Sequence, residues 1–258
     1  LFPWLPPVPE GPAETDETTP SAGFRTHPLS WLTVKANWGE HYRLPTFFEM
    51  FGDLGTVTGA PDLEPERGTN RDIGVVISGQ DFWIFDSPRL EAVYVDNELE
   101  GLILFFQNSQ YTVKPRNIGS ARVRGFELSA AATASGRLRL SGNYTRLDSR
   151  DTGPVPYYNG NLLPGRPEHE VSIGSELLSG RWSVMYELHY LGDSYLDRAN
   201  LMPQESRKIH DLTLTLRSLS YGMTLSIGGR NLGNERVYDV IGFPLPGRSF
   251  FASIGYTN

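Results

Sequence analysis

The chain has 258 residues, no cysteine and a formal net charge of −7, which argues against a nucleic-acid partner and excludes disulfide bonds and thiolate metal sites. No run of about 18 apolar residues occurs, so no membrane-spanning helix is predicted. Aromatic residues make up 12% of the chain, and with 27 glycines and 19 prolines this composition favours an all-β protein with many turns.

Residues 1–19 are rich in proline, which donates no hydrogen bond to a sheet, so this stretch is not predicted as strand. It is either a flexible tail or the remnant of a surface loop whose first half lies outside the chain. No signal peptide is visible, because the first residues lack a basic start and an uninterrupted apolar stretch. A short strand is predicted over 21–26, with a turn at 27–30.

From Trp31 onward, apolar residues alternate with polar or small residues, which predicts strands with one apolar and one polar face. With the short first strand, about eleven strands are expected. The other ten are centred on 31–38, 69–78, 90–95, 117–128, 138–144, 171–177, 182–190, 212–216, 221–228 and 250–256.

Three stretches between the strands have features of their own. A short helical turn is predicted over 46–51, and 98–112 form either a loop or a hairpin extension. The run 82–85 is unusually apolar for a turn. It is either an aromatic group at a membrane boundary or an extension of the next strand.

The connections between strands differ in length in a regular way. Tight turns are predicted at 135–136, 179–180 and 219–220, and long loops at 40–68, 148–166, 191–207 and 230–246. Short turns on one rim and long loops on the other are typical of an outer-membrane β-barrel. A soluble sandwich or barrel would show the same alternation with its apolar face inside, so the periodicity alone leaves the membrane barrel and the soluble folds open.

Several motifs resemble those of TonB-dependent outer-membrane receptors. The most specific are two runs of the closing hairpin, Asn231-Leu-Gly-Asn-Glu-Arg-Val-Tyr238 and Pro246-Gly-Arg-Ser-Phe250. Family chains usually stop on an aromatic residue, whereas here two residues follow Tyr256. Further similar motifs lie at 42–46 with 60–66, at 117–128 and at 163–169. Haem receptors of the family place a histidine between the motifs at 42–46 and 60–66, and no histidine occurs between Pro45 and Pro61 in this sequence.

The resemblance implies an antiparallel transmembrane β-barrel in the bacterial outer membrane, with about 22 strands in the complete barrel. Residues 20–258 are then the C-terminal part of that barrel, and the plug domain is absent from this chain. The implied activity is uptake of a scarce, bulky nutrient such as a ferric siderophore or cobalamin. The implied partners are outer-membrane lipid, the N-terminal barrel half with its plug, the TonB complex acting through the plug, and a metal chelate. No cofactor is implied.

Candidate ligand-binding residues lie in the predicted outer loops, where aromatic faces with a few charges suit a large, partly apolar chelate. They are Tyr157, Tyr158, Arg198 and Tyr238. Each is also compatible with an ordinary loop residue. Four polar residues predicted to face the lumen are interpreted as solvated wall positions: Lys35, Arg139, Glu187 and His189.

Catalysis finds little support in the sequence. The five histidines lack metal-ligand spacing, and neither a phosphate-binding loop nor a GxSxG elbow occurs, so an enzyme is not predicted. The alternative to a transport receptor is a half-barrel that pairs with a separate N-terminal chain, or a plugless pore. An isolated eleven-stranded sheet would leave two open edges, which lipid does not tolerate.

Overall fold

The computed structural model describes residues 17–53, 55, 57–79, 81–107, 112–117, 119–218, 222–236, 238–240 and 243–256. Eleven strands form one sheet in the order β1-β2-β3-β4-β7-β8-β9-β10-β13-β14-β17, and every neighbouring pair is antiparallel. The predicted number of strands is thus confirmed. β1 and β17 form the two edges of the sheet, so the sheet does not close within the described residues.

The elements alternate regularly along the chain. Their bounds are β1 Ser21–Leu29, β2 Leu32–Arg43, α1 Phe47–Phe51, β3 Glu66–Ser78, β4 Phe85–Glu100, β5 Ile103–Gln107, β6 Val113–Asn117, β7 Ser120–Ala134, β8 Leu138–Asp151, β9 His169–Ser179, β10 Trp182–Leu191, β11 Ser194–Tyr195, β12 Pro203–Gln204, β13 Arg207–Ser218, β14 Met223–Arg230, β15 Tyr238–Val240, β16 Phe243–Pro244 and β17 Ser249–Tyr256. Within the described part of the chain, no helix is long and apolar enough to cross a membrane.

The long connections all leave the sheet at one end, because β2, β4, β8, β10 and β14 run in the same direction. This end, called the loop end, carries α1 and three two-stranded ribbons, β5–β6, β11–β12 and β15–β16. The opposite end, the turn end, carries short connections. At 135–136, both residues take the positive φ that a tight hairpin requires, 50° at Ser135 and 64° at Gly136. The predicted turn at 219–220 lies outside the described residues.

Four local predictions can be compared with the structure. The predicted helical turn is α1, and 98–112 begin as a hairpin extension through β5 and β6. β1 continues past Pro28 to Leu29 with an irregular register, which an edge strand permits because its outer side needs no hydrogen-bond donor. The aromatic run at 82–85 is partly an extension of the next strand and partly a group of exposed aromatic residues. Phe85 begins β4, whereas Phe82 and Trp83 form an exposed turn closed by reciprocal backbone hydrogen bonds of 2.8 and 2.9 Å.

The sheet exposes its apolar face. One cross-strand row on this face runs across six neighbouring strands, through Leu138, Leu177, Val184, Leu214, Ile227 and Ala252. Leu214 is 39% and Ile227 47% exposed, whereas the few buried apolar side chains in the described residues are mainly small or lie near loops. A soluble sandwich would bury such a row against a second layer. The soluble alternative is therefore wrong, and this face suits a hydrocarbon environment.

The opposite face is polar, and its side chains contact one another. Hydrogen bonds join Asn37 to Asp72 at 2.9 Å and Arg139 to Glu176 at 3.0 Å, and Lys35 pairs with Glu91. The predicted wall residues Lys35, Arg139, Glu187 and His189 all belong to this face. His189 shares a hydrogen bond with Ser172 at 3.1 Å. These contacts support their interpretation as wall positions.

Candidate functional site

Two loops at the loop end are joined by a buried ion pair. They follow β8 (152–168) and β10 (192–206), and together they are called the paired loops. Asp151, the last residue of β8, is 1% exposed and accepts a 2.6 Å hydrogen bond from Nε of Arg198. Only 10% of the Arg198 side chain is accessible. A buried ion pair of this kind requires both partners, because either charge alone would lie uncompensated in a low-dielectric site.

Further hydrogen bonds tie the paired loops along their length. The amide nitrogen of Leu162 donates to Oδ1 of Asn200 at 2.8 Å, and Nδ2 of Asn200 returns a 2.9 Å bond to the Leu162 carbonyl. Nδ2 of Asn161 donates to the Arg198 carbonyl at 3.1 Å. The two loops therefore form one rigid unit.

Three of the four predicted ligand-binding residues come together in this unit. The Arg198 guanidinium lies 4.3 Å from the centre of the Tyr158 ring, and the Tyr157 ring meets Tyr158 edge to face at 5.2 Å. Tyr157 is 63% exposed. Arg198 and Tyr158 thus contact each other within the paired loops, and the Tyr157 ring is mostly exposed. Tyr238 lies in β15, and its side chain is outside the described part of the structure.

A second rigid unit is built around α1. Arg43, the last residue of β2, donates to Glu66 at 2.7 Å through both Nε and Nη2, and to Glu49 at 3.0 and 3.1 Å. Thr46 caps the helix, and its backbone and side chain both bond to Glu49. Hydrogen bonds from the Arg43 guanidinium hold the pKa of the Glu49 carboxyl below its usual range. The short helix is thereby fixed to the sheet.

This helix presents an aromatic patch, defined here as Phe47, Phe48, Phe51 and Phe105. Their exposed fractions are 80%, 47%, 51% and 43%. The rings of Phe47 and Phe51 lie 5.3 Å apart, and those of Phe48 and Phe105 5.9 Å apart. Sequence reasoning assigned only a helical turn here. The signal that it missed is three phenylalanines around one acidic residue, in a loop where solvent exposure favours polar residues.

The helix that carries the aromatic patch is anchored to the polar face of the sheet. Arg43 lies on the same face of β2 as Lys35, because side chains alternate along a strand whose register is continuous from Leu32 to Arg43. Through Arg43, the helix is anchored over the end of that face. Large exposed aromatic side chains are thus held close to the strand end by this anchor, and an exposed cluster of this kind suits contact with a ligand or another protein segment.

The comparisons with known proteins agree with this architecture. A family model described as "TonB dependent receptor-like, beta-barrel" matches residues 7–232. Transferrin-binding protein A of Neisseria meningitidis serogroup B is 35% identical over 120 residues, covering 42% of this chain and 12% of that protein. Hemoglobin-haptoglobin-binding protein A of Haemophilus influenzae is 23% identical over 87% of this chain and 24% of its own length. The chain thus spans less than a quarter of the length of these curated relatives.

Two solved structures share the fold. The siderophore receptor PiuA from Acinetobacter baumannii superimposes with a TM-score of 0.74 at 20% identity, covering 91% of this chain and 35% of that one. The copper transporter OprC gives a TM-score of 0.71 at 18% identity, covering 91% and 38%. Family barrels are bacterial outer-membrane proteins and transport receptors, not enzymes. The family match covers most of the chain, and the chain belongs to the TonB-dependent receptor-like β-barrel family.

Proposed function

We propose that this chain supplies the wall and outer loops of a receptor that takes up a scarce, bulky nutrient such as a ferric siderophore across the outer membrane. The observation that carries the proposal is the two-sided sheet, which exposes an apolar belt on one face and presents rigid aromatic loops at one end. Aromatic faces beside a few charges suit a large, partly apolar chelate.

Within this proposal, the ligand meets the paired loops first. Tyr157 offers its exposed ring, while Tyr158 and Arg198 hold the unit in place. Tyr238 contributes from the connection between β14 and β17. The N-terminal barrel half and the plug would complete the pore, and TonB would supply energy through the plug. Membrane lipid would contact the apolar face of the sheet.

A second candidate ligand is iron held by a protein. It is favoured by the sequence similarity to proteins named for binding transferrin and haemoglobin–haptoglobin. The exposed apolar side chains of the paired loops, Tyr157 at 63%, Leu201 at 71% and Met202 at 42%, also suit a broad protein contact. Such a ligand would be stripped of its iron at the loop end, and only the metal would pass through the barrel.

The test uses the complete receptor that contains this chain, expressed in cells that lack their own iron receptors. Radiolabelled iron is offered as a ferric catecholate chelate, as a ferric hydroxamate chelate, or as iron-loaded transferrin. TonB-dependent accumulation from one source supports the proposal and identifies the ligand class. Equal accumulation in cells with and without TonB would contradict energised uptake and favour the plugless pore. The mass of the purified native complex separates a single receptor chain from a half-barrel that pairs with another chain.

A further inference from the structure

The apolar face of the sheet is concave near the turn end. One cross-strand row on this face runs through Ile77, Leu90, Ala130, Gly142 and Ile173. Large exposed side chains form both ends of the row, whereas alanine and glycine occupy its middle. The face therefore has a depression along β7 and β8, which is called the outward groove.

The outward groove has a defined size and an apolar lining. Its volume is about 790 Å³, which lies within the range of pockets that bind small molecules. Ala132 and Leu140, the next cross-strand pair toward the turn end on this face, also line it. Apart from the chain neighbours, a Cβ added to Gly142 would meet no atom nearer than the Ser172 carbonyl oxygen, at 3.8 Å. The middle of the groove is thus open space that larger side chains could fill.

Aromatic residues border the groove on its turn-end side. Trp31, Phe82 and Phe85 line it, and Phe82 is 70% exposed. The ring of Trp83 meets Phe85 edge to face at 6.5 Å and is itself 84% exposed. Large aromatic side chains favour the boundary between hydrocarbon and headgroups. The groove therefore lies at the level where the apolar face reaches the turn end.

The turn that carries these rings has an unusual backbone. Reciprocal hydrogen bonds between Phe82 and Phe85 leave Trp83 and Ile84 as its two central residues. Trp83 takes a φ of 55°, in the left-handed region where glycine is the usual hairpin residue. A bulky side chain held in such a conformation indicates a functional constraint on the residue type. The constraint that fits the surroundings is a large ring beside the groove.

The position of the groove also indicates which lipid can reach it. Short turns lie on the periplasmic side of an outer-membrane barrel, so the groove opens to the periplasmic leaflet, where phospholipid is the available lipid. Asp81 and Arg89 are the charged residues in its described lining, and both lie beside the turn between β3 and β4. An acyl chain would thus contact the apolar part of the groove, and a headgroup would lie next to charged partners.

We propose that the outward groove binds one acyl chain of a phospholipid from the periplasmic leaflet. The groove is continuous with the apolar face through Ile77 and Leu90, so a chain enters it from hydrocarbon without crossing water. A depression covers more of each methylene group than a flat face does, and the gain grows with the area covered. The lining favours a lipid over an extended protein segment, whose backbone amides and carbonyls would find few hydrogen-bond partners there.

The inference rests on the placement of the apolar face in the outer membrane, but not on which nutrient the receptor transports. Ala130 and Gly142 supply little side-chain packing of their own, so a bound chain would complete the outer layer of β7 and β8. The receptor would then keep one phospholipid after the surrounding lipid has been removed.

The experiment measures phospholipid retention by the complete receptor that contains this chain. The receptor is purified in detergent and mixed with palmitoyl-oleoyl phosphatidylethanolamine, or with the dihexanoyl lipid of the same headgroup, and bound lipid is counted by native mass spectrometry. The informative variant is Ala130→Leu/Ala132→Leu, which fills the groove with apolar side chains. The matched control is Ala36→Leu/Ala252→Leu, which makes the same change on the apolar face outside the groove.

The wild type and the control variant should each retain one long-chain phospholipid. The groove-filled variant should bind it roughly tenfold more weakly or worse, a factor that corresponds to burial of about two methylene groups. Equal retention by the two variants, or equal retention of the long-chain and short-chain lipids, overturns the proposal. Heat-resistant migration in detergent gels confirms that each variant is folded.

Photo-crosslinking separates the groove from the membrane placement on which it rests. A side chain that carries a diazirine replaces Gly142, where an added Cβ has room, or Leu214, on the same face away from the groove. Both positions should cross-link to phospholipid in membranes, whereas only position 142 should do so after purification in detergent. Lipid cross-links from position 214 alone overturn the groove, and a protein cross-linked at position 142 overturns the choice of occupant. Absence of lipid cross-links from both positions in membranes would contradict the membrane placement itself.

Discussion

Removing the charge of Arg198 should loosen the paired loops. In Arg198→Met, the apolar stem remains, but the carboxylate of Asp151 stays buried. Within the described residues, the amide of Gly153 still donates a 2.8 Å hydrogen bond to it. Leaving one member of a buried ion pair uncompensated costs about 3–5 kcal/mol. Because about 1.4 kcal/mol corresponds to a factor of ten, the open state of the loops should become roughly 10²–10⁴ times more populated.

Hydrogen exchange measured by mass spectrometry on the complete receptor reports this opening. Peptides covering 152–168 contain the amide of Leu162, which bonds across the two loops to Asn200. Their protection should fall in Arg198→Met and remain near the wild-type level in Arg139→Met, whose ion pair is exposed on the polar face. Peptides from the sheet should be unchanged in both variants.

A double variant distinguishes the buried charge from lost packing. Asp151→Asn/Arg198→Met retains an acceptor for Gly153 but removes the buried negative charge. Its loops should be better protected than those of Arg198→Met alone, because a neutral buried group needs no charged partner. Exchange as fast as, or faster than, that of the single variant would refute the reasoning, since the stacking of Arg198 on Tyr158 would then dominate.

Three further predictions concern the belt, the sheet and the helix. Leu214→Arg should lower the free energy of unfolding in lipid vesicles by about 2–4 kcal/mol, whereas Thr213→Arg on the polar face should be tolerated. Gly125→Ala should greatly reduce the yield of folded barrel, because an added Cβ would lie 1.8 Å from a backbone carbonyl oxygen of β8; Gly142→Ala, with 3.8 Å available, is the control. Protection of the helix around Glu49 should fall only in acid, below about pH 4, because its stabilisation is complete above the unfolded pKa and is lost as pH falls through the lowered folded pKa.

Different outcomes would contradict these predictions. Similar urea midpoints for the two arginine variants would mean that the faces of β13 do not differ in their surroundings. Normal folding of Gly125→Ala would mean that β7 and β8 can separate at this position. Loss of helix protection at neutral pH, without any acid transition, would mean that Glu49 does not titrate against its arginine partner.

The alternation of residues was sufficient to predict the sheet. The period of two in apolar side chains determines which residues share a face. The alternation of short and long connections determines which strand ends lie together. It could not decide which face meets solvent, because the same row through Leu214 serves equally in a soluble core. The exposure of that row in the folded chain decides the question, since the described residues provide no second layer to cover it.

The candidate site was only partly predictable for a different reason. Tyr157, Tyr158 and Arg198 could be chosen from residue type and loop position, but the partner of Arg198 is Asp151, which lies 47 residues away in the chain. No local pattern marks such a long-range pair. The selection of Arg198 as a candidate ligand-binding residue stays a prediction, and the structure adds its contacts with Asp151 and Tyr158.

The strands that carry the loops extend well beyond the apolar belt, and this length has a mechanical consequence. β4 continues from Tyr94 through charged residues to Glu100, and β8 continues from Tyr144 to the buried Asp151. Each of these two loops therefore begins on a hydrogen-bonded strand beyond the apolar side chains, where neighbouring strands fix its position. Because the ion pairs at Asp151 and Glu49 then tie the loops to one another and to the sheet, the order of the loop end comes from register and buried charge. A ligand would meet surfaces that are already ordered, so binding would need little loss of backbone entropy.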